Sequence, residues 1–168
     1  MAKAKDTAKE APKARTSKAK EKAAEKALLQ GQMAETPEPL DAEARKMRLK
    51  ALIKLGKRRL DDGDTDAATG IFARAVELDG GNAEALAGLG SAQYEQGEYD
   101  QAVRSLAKAA RMLPRKTALH EMLADAQFKA KRYKESAETA RKLLKQDPGS
   151  AKAKQILERA EQQLGGSP

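Results

Sequence analysis

The chain has 168 residues and a net charge of +8, with 35% charged and 3% aromatic side chains and no Cys or Trp. The lack of Cys excludes a disulfide framework and thiolate chemistry, and a single His excludes a multi-histidine metal site. The start, MAKAKDTAKE, has no apolar signal core and no apolar run reaches spanning length, which predicts a soluble, cytoplasmic protein with no membrane span.

Residues 1–30 hold nine Lys/Arg against Asp6, Glu10, Glu21 and Glu25, net +5, among Ala and few large apolar residues. Such a stretch buries too little surface to offset its ordering entropy, so residues 1–39 are predicted to be a disordered Lys/Ala-rich tail and linker. Within it, AKEKAAEKALLQ at 19–30 reads as a transient helix with little charge-pair support. Residues 31–44 reverse the sign, with Glu35, Glu38, Asp41, Glu43 and no base. Pro37 and Pro39 stop any helix, so the folded part is predicted over 40–164.

That part repeats. Leu55-Gly56, Leu89-Gly90 and Leu123-Ala124 stand 34 residues apart, as do Leu60, Tyr94 and Phe128; Ala68, Ala102 and Ser136; and Phe72, Leu106 and Ala140. Tyr99 returns as Tyr133 and Pro114 as Pro148. The interval divides the chain into units 49–82, 83–116 and 117–150. Each unit reads as two helices: Leu86, Leu89, Gly90 and Tyr94 share one face, Gly97 breaks the chain, and Tyr99, Ala102, Val103, Leu106 and Ala109 make the second face. A pair this small must stack on its neighbours to bury its apolar stripe. Residues 151–164, AKAKQILERAEQQL, start a fourth unit and stop, which predicts a polar capping helix.

Three motifs suggest chemistry, and the repeat frame answers each. Gly88-Leu-Gly90 starts like a dinucleotide loop, but no strand precedes it and the frame places it inside a helix. Asp62, Asp64 and Asp66 resemble a calcium loop, yet its sixth and twelfth positions are Ala67 and Ala73. Gly63 is instead the counterpart of Gly97, and the Asp residues cap and charge the next helix. His120 takes a large-residue position with no nucleophile beside it, so no catalytic residue, cofactor or metal is expected.

The units resemble tetratricopeptide repeats, whose pattern is Trp-x2-Leu-Gly-x2-Tyr, then Ala-x3-Phe, then Pro. The second unit matches best, with Leu89, Gly90, Ala102, Leu106 and Pro114 in those roles. The Trp place holds Leu52, Leu86 and His120, and the Tyr place holds Arg59, Gln93 and Gln127. The resemblance implies an all-α solenoid, a right-handed superhelix of helix pairs. It also implies partner docking in a concave groove lined by the first helix of each unit.

By the family's phase the groove candidates are Lys50, Ile53, Lys57, Leu60 and Asp61 in the first unit. The second offers Glu84, Ala87, Ser91, Tyr94 and Glu95, and the third Ala118, Glu121, Asp125, Phe128 and Lys129. Tyr94 and Phe128 read either as aromatic anchors for a partner or as packing between helices. Members that hold acidic chaperone tails use a Lys, Asn and Arg set; here those places carry Ile53, Lys57, Gly88, Ala118 and Met122, so that clamp is absent. Glu84, Glu95, Glu121 and Asp125 instead predict a partner peptide or helix with apolar residues and Lys or Arg, a character that residues 1–30 share.

The function expected is a non-enzymatic protein-interaction adaptor with a basic tail that adds electrostatic contact. The alternatives are a small secretion-type chaperone for a client protein, and a recruiter that meets nucleic acid non-specifically through residues 1–30.

Overall fold

The computed structural model describes residues 41–165; the expectations for the tail lie outside them. Among the described residues all regular structure is helical: α1 (Ala42–Asp61), α2 (Thr65–Leu78), α3 (Ala83–Glu95), α4 (Tyr99–Met112), α5 (Thr117–Lys129), α6 (Tyr133–Gln146) and α7 (Ala151–Gly165). Contacts divide the chain into units Met1–Ala51 and Leu52–Pro168. The packing below is that of the second unit.

The helix boundaries follow from local chemistry. The Asp64 carboxylate accepts from the Ala67 N–H at 3.2 Å and starts α2, and Asn82 accepts from Ala85 at 2.9 Å and starts α3. Ser150 Oγ accepts from Ala153 at 3.1 Å in the first turn of α7. Between the helices of the first two pairs, Gly63 and Gly97 both adopt φ +79°, the left-handed conformation that reverses the chain at low cost for glycine. The third pair puts Lys131 at the same place, with φ 60°. An L side chain is strained there, so Lys131→Gly is expected to raise stability by about 1 kcal/mol in a urea titration.

From α2 to α7 successive helices pack against each other, and first helices also meet across units, α3 on α5 and α5 on α7. The core is shared between repeats: Leu86, Val103 and Leu106 join Leu119, Leu123 and Ala126 in one cluster. Its close approaches explain why small residues recur. Phe72 is fully buried, and its ring lies where a Cβ on Gly56 would be 2.8 Å away and a Cβ on Gly88 nearer still. Gly90 likewise leaves room for Leu106, at 2.6 Å from such a Cβ.

The departures from the repeat pattern are compensated. Along the units the partners change from Gly56 and Phe72, to Gly90 and Leu106, to Ala124 and Ala140: as the small position gains a methyl, the large one shrinks. Ile156 of α7 joins Ala124 and Ala140 in their cluster. Ser136 is fully buried, with its hydroxyl donating to the Ala124 carbonyl at 2.8 Å. Gln93 and Gln127, in the Tyr place, accept from Ser105 and Thr139, each at 2.8 Å and each twelve residues on. These bonds tie the first helix of a pair to the second and satisfy amides that are only 7% exposed.

Candidate functional site

The candidate groove residues lie on the first helices, and α3 and α5 bring several together. Tyr94 Oη donates to Asp125 Oδ2 at 2.5 Å, across repeats. Ser91 Oγ donates to its own helix at Ala87 O, 3.0 Å away, and lies 3.2 Å from Met122 Sδ. Lys57 pairs with Glu84, both about half exposed. Burial pushes the Tyr94 hydroxyl well above the ordinary tyrosine range, helped by its hydrogen bond to the Asp125 carboxylate. The phenol therefore stays a hydrogen-bond donor.

The aromatics form a repeating device. The Tyr94 and Tyr99 rings meet edge-on with centroids 5.5 Å apart, and one repeat later Phe128 and Tyr133 meet at 5.4 Å. In each pair the first ring ends the leading helix and the second starts the following one. All four residues are half-buried. Each ring is thus packed on its neighbour and keeps part of its surface open to solvent.

Other candidates are placed differently. Ile53 is only 7% exposed and belongs to the core, so it supports the face without presenting a side chain. Leu60 and Ala87 are half-buried, and Lys50, Lys57, Asp61, Glu84, Glu95, Ala118 and Lys129 are exposed. Glu121 accepts from Ser150 Oγ at 2.6 Å and so anchors the turn into α7 as well as facing solvent in part.

As a helix that starts a fourth unit, α7 carries the 34-residue interval one step further. Arg159 stands 34 residues after Asp125 and lies 4.5 Å over the Phe128 ring, a cation–π contact. Lys152, Gln155 and Gln162 keep the same register and are exposed. The interval that defined the repeats also located them. The row Lys57, Ser91, Asp125, Arg159 therefore runs from a cation through an acidic centre to a cation.

The motifs set aside earlier have structural roles. Gly88 and Gly90 lie inside α3. In the Asp-rich run, Asp64 caps α2 and Asp66 accepts from Gln96 at 2.5 Å. Among the described residues, no cluster of His, Asp and Glu is arranged to hold a metal ion, and no helix is long and apolar enough to cross a membrane.

Helix pairs that recur every 34 residues, bury apolar clusters against their neighbours and end on a polar helix define a helical-repeat scaffold. Family models of the tetratricopeptide repeat match residues 59–114 and 89–151. The chain is a tetratricopeptide repeat protein. Among curated proteins, none matches it by sequence. Its fold is similar to the Arabidopsis OM64 TPR domain, with TM-score 0.62, 22% identity, and 68% of this chain and 95% of that one covered. The second TPR domain of human RPAP3, in complex with the HSP70 peptide SGPTIEEVD, is similar with TM-score 0.65, 18% identity, and coverage of 70% and 98%. SycD, a type III secretion translocator chaperone of Yersinia enterocolitica, is similar with TM-score 0.60, 18% identity, and coverage of 69% and 93%. At these identities the likeness is one of fold.

Proposed function

We propose that the protein is a non-enzymatic adaptor that docks a partner peptide or helix on the face formed by α3, α5 and α7. The observation that carries this is the pair of half-buried aromatics, Tyr94 and Phe128, one repeat apart, each held by a second ring. Pre-oriented aromatic side chains lose little entropy on binding and are frequent hot spots. Around them Glu95, Glu121 and Asp125 favour a segment with apolar residues and Lys or Arg, whereas an acidic tail such as SGPTIEEVD meets repulsion in the centre of the face. Residues 1–30, with net +5, add an electrostatic contact to acidic protein or nucleic acid that weakens with salt.

The test is native capture with mass spectrometry, using the natural protein beside Tyr94→Ala and Phe128→Ala. A partner caught by the natural protein and lost from both variants supports the reading. Capture that is unchanged in the variants and abolished by nuclease would point to the tail. A captured protein that precipitates without this chain would favour the client chaperone reading, to which the fold likeness to SycD gives weight.

A further inference from the structure

Residues of α4, α5 and α6 and the turn after α4 line a cleft of about 590 Å³. Ala110, Leu123 and Leu143 are buried and form its floor; Arg111, Lys142 and Lys145 are exposed and form its rim. No Asp or Glu lines it. His120 does, and its Nε2 is buried without a hydrogen-bond partner.

The rim cations differ from others near them. Arg141 is paired with Glu161 at 2.6 Å and Arg132 with Asp100 at 2.7 Å. Lys142 and Lys145 form no ion pair among the described residues, and Arg111 makes only a 3.3 Å bond to its own helix at Ala107 O. Arg104 and Lys108, exposed on α4, extend the row by helical spacing. Like charges left uncompensated along a cleft raise its potential and draw anions to it. An apolar floor of this size accepts a large aliphatic side chain, which a bare anion does not supply. Beyond the His120 imidazole, no Phe, Tyr or Trp lines the cleft to stack a nucleobase.

We propose that this cleft docks an acidic segment of a partner protein, with one large apolar side chain on the floor and its flanking carboxylates on Arg111, Lys142 and Lys145. This site is separate from the first-helix face, prefers the opposite charge, and gives the adaptor a second partner.

The experiment measures fluorescence anisotropy of the full chain with a labelled peptide of glutamates around a single leucine. The expected result is binding that weakens about tenfold with Lys142→Glu and further with Lys145→Glu, and about tenfold when the peptide leucine becomes glutamate. Lys134→Glu, an equal charge reversal at an exposed α6 residue outside the cleft, leaves it nearly unchanged. Both lysines are exposed, so the variants keep the helical circular dichroism of the natural chain. Absence of binding overturns the proposal. So does binding indifferent to either lysine reversal or to loss of the leucine, since general attraction to a basic protein then explains it. Tighter binding of single-stranded poly(dT) through the same lysines would also overturn it, in favour of a nucleic-acid surface.

Discussion

Gly88→Ala is expected to destabilise the repeat array by about 3 kcal/mol, the upper end of what overpacking costs. A Cβ at this position meets the Phe72 ring, with Cδ1 at 2.6 Å and Cε1 and Cζ closer still. The ring has nowhere to go: it is fully buried, and the backbone of Gly56 closes its other side. Gly70→Ala is the matched control. Gly70 lies inside α2, is exposed, and a Cβ there meets nothing within 4 Å. That substitution removes only the helix cost of glycine and should stabilise by about 0.5–1 kcal/mol. Shrinking the ring tests the mechanism. Phe72→Leu and Gly88→Ala, each destabilising alone, should be less than additive when combined, because the smaller side chain makes room for the methyl. Urea unfolding followed by circular dichroism measures all four proteins.

Tyr94→Ala is expected to weaken a groove partner by about 2 kcal/mol or more, the scale of an interface hot spot. Tyr94→Phe keeps the ring and loses only the hydrogen bond to Asp125, so it should cost about 1 kcal/mol. Asp125→Lys inverts the centre of the face and, if the partner carries Lys or Arg there, should abolish binding while leaving the helices intact. Titration calorimetry with the captured partner separates these outcomes. Equal affinity for the natural protein and Tyr94→Ala would remove the ring from the interface and leave it a packing residue.

The repeat frame was legible because its marks are independent of one another. Leu89-Gly90, Ala102, Leu106 and Pro114 answer to different physical needs, yet all keep one interval. The turn glycines and the capping role of the Asp-rich run could be read the same way. What could not be read was compensation across the chain. Ala140 in the place of Phe72 looks like a weakened unit until Ala124 and Ile156 are seen beside it. Gln93 and Gln127 look like lost tyrosines until Ser105 and Thr139 supply their partners.

The candidate site was legible to a lesser degree. Repeat phase put Tyr94, Asp125 and Phe128 on one face, but whether the residues touch is a property of the helix spacing, which no single position encodes. Ile53 shows the limit in one direction: the same phase that exposes Lys57 leaves Ile53 in the core. Arg159 shows it in the other, because a helix read as a polar end also supplies the cation over Phe128. The cleft beneath Lys142 and Lys145 had no sequence mark, since it depends on residues of three helices that belong to two repeats.

The most direct measurement places a photo-crosslinking amino acid at Ser91 in one protein and at Arg104 in another, then exposes each to the partner captured in the native experiment. Ser91 lies on the α3 face beside Met122, and Arg104 is exposed on α4. Crosslinks to that partner from Ser91 and none from Arg104 are the predicted result. Crosslinks from Arg104 alone would contradict the assignment of the α3, α5 and α7 face as the docking surface.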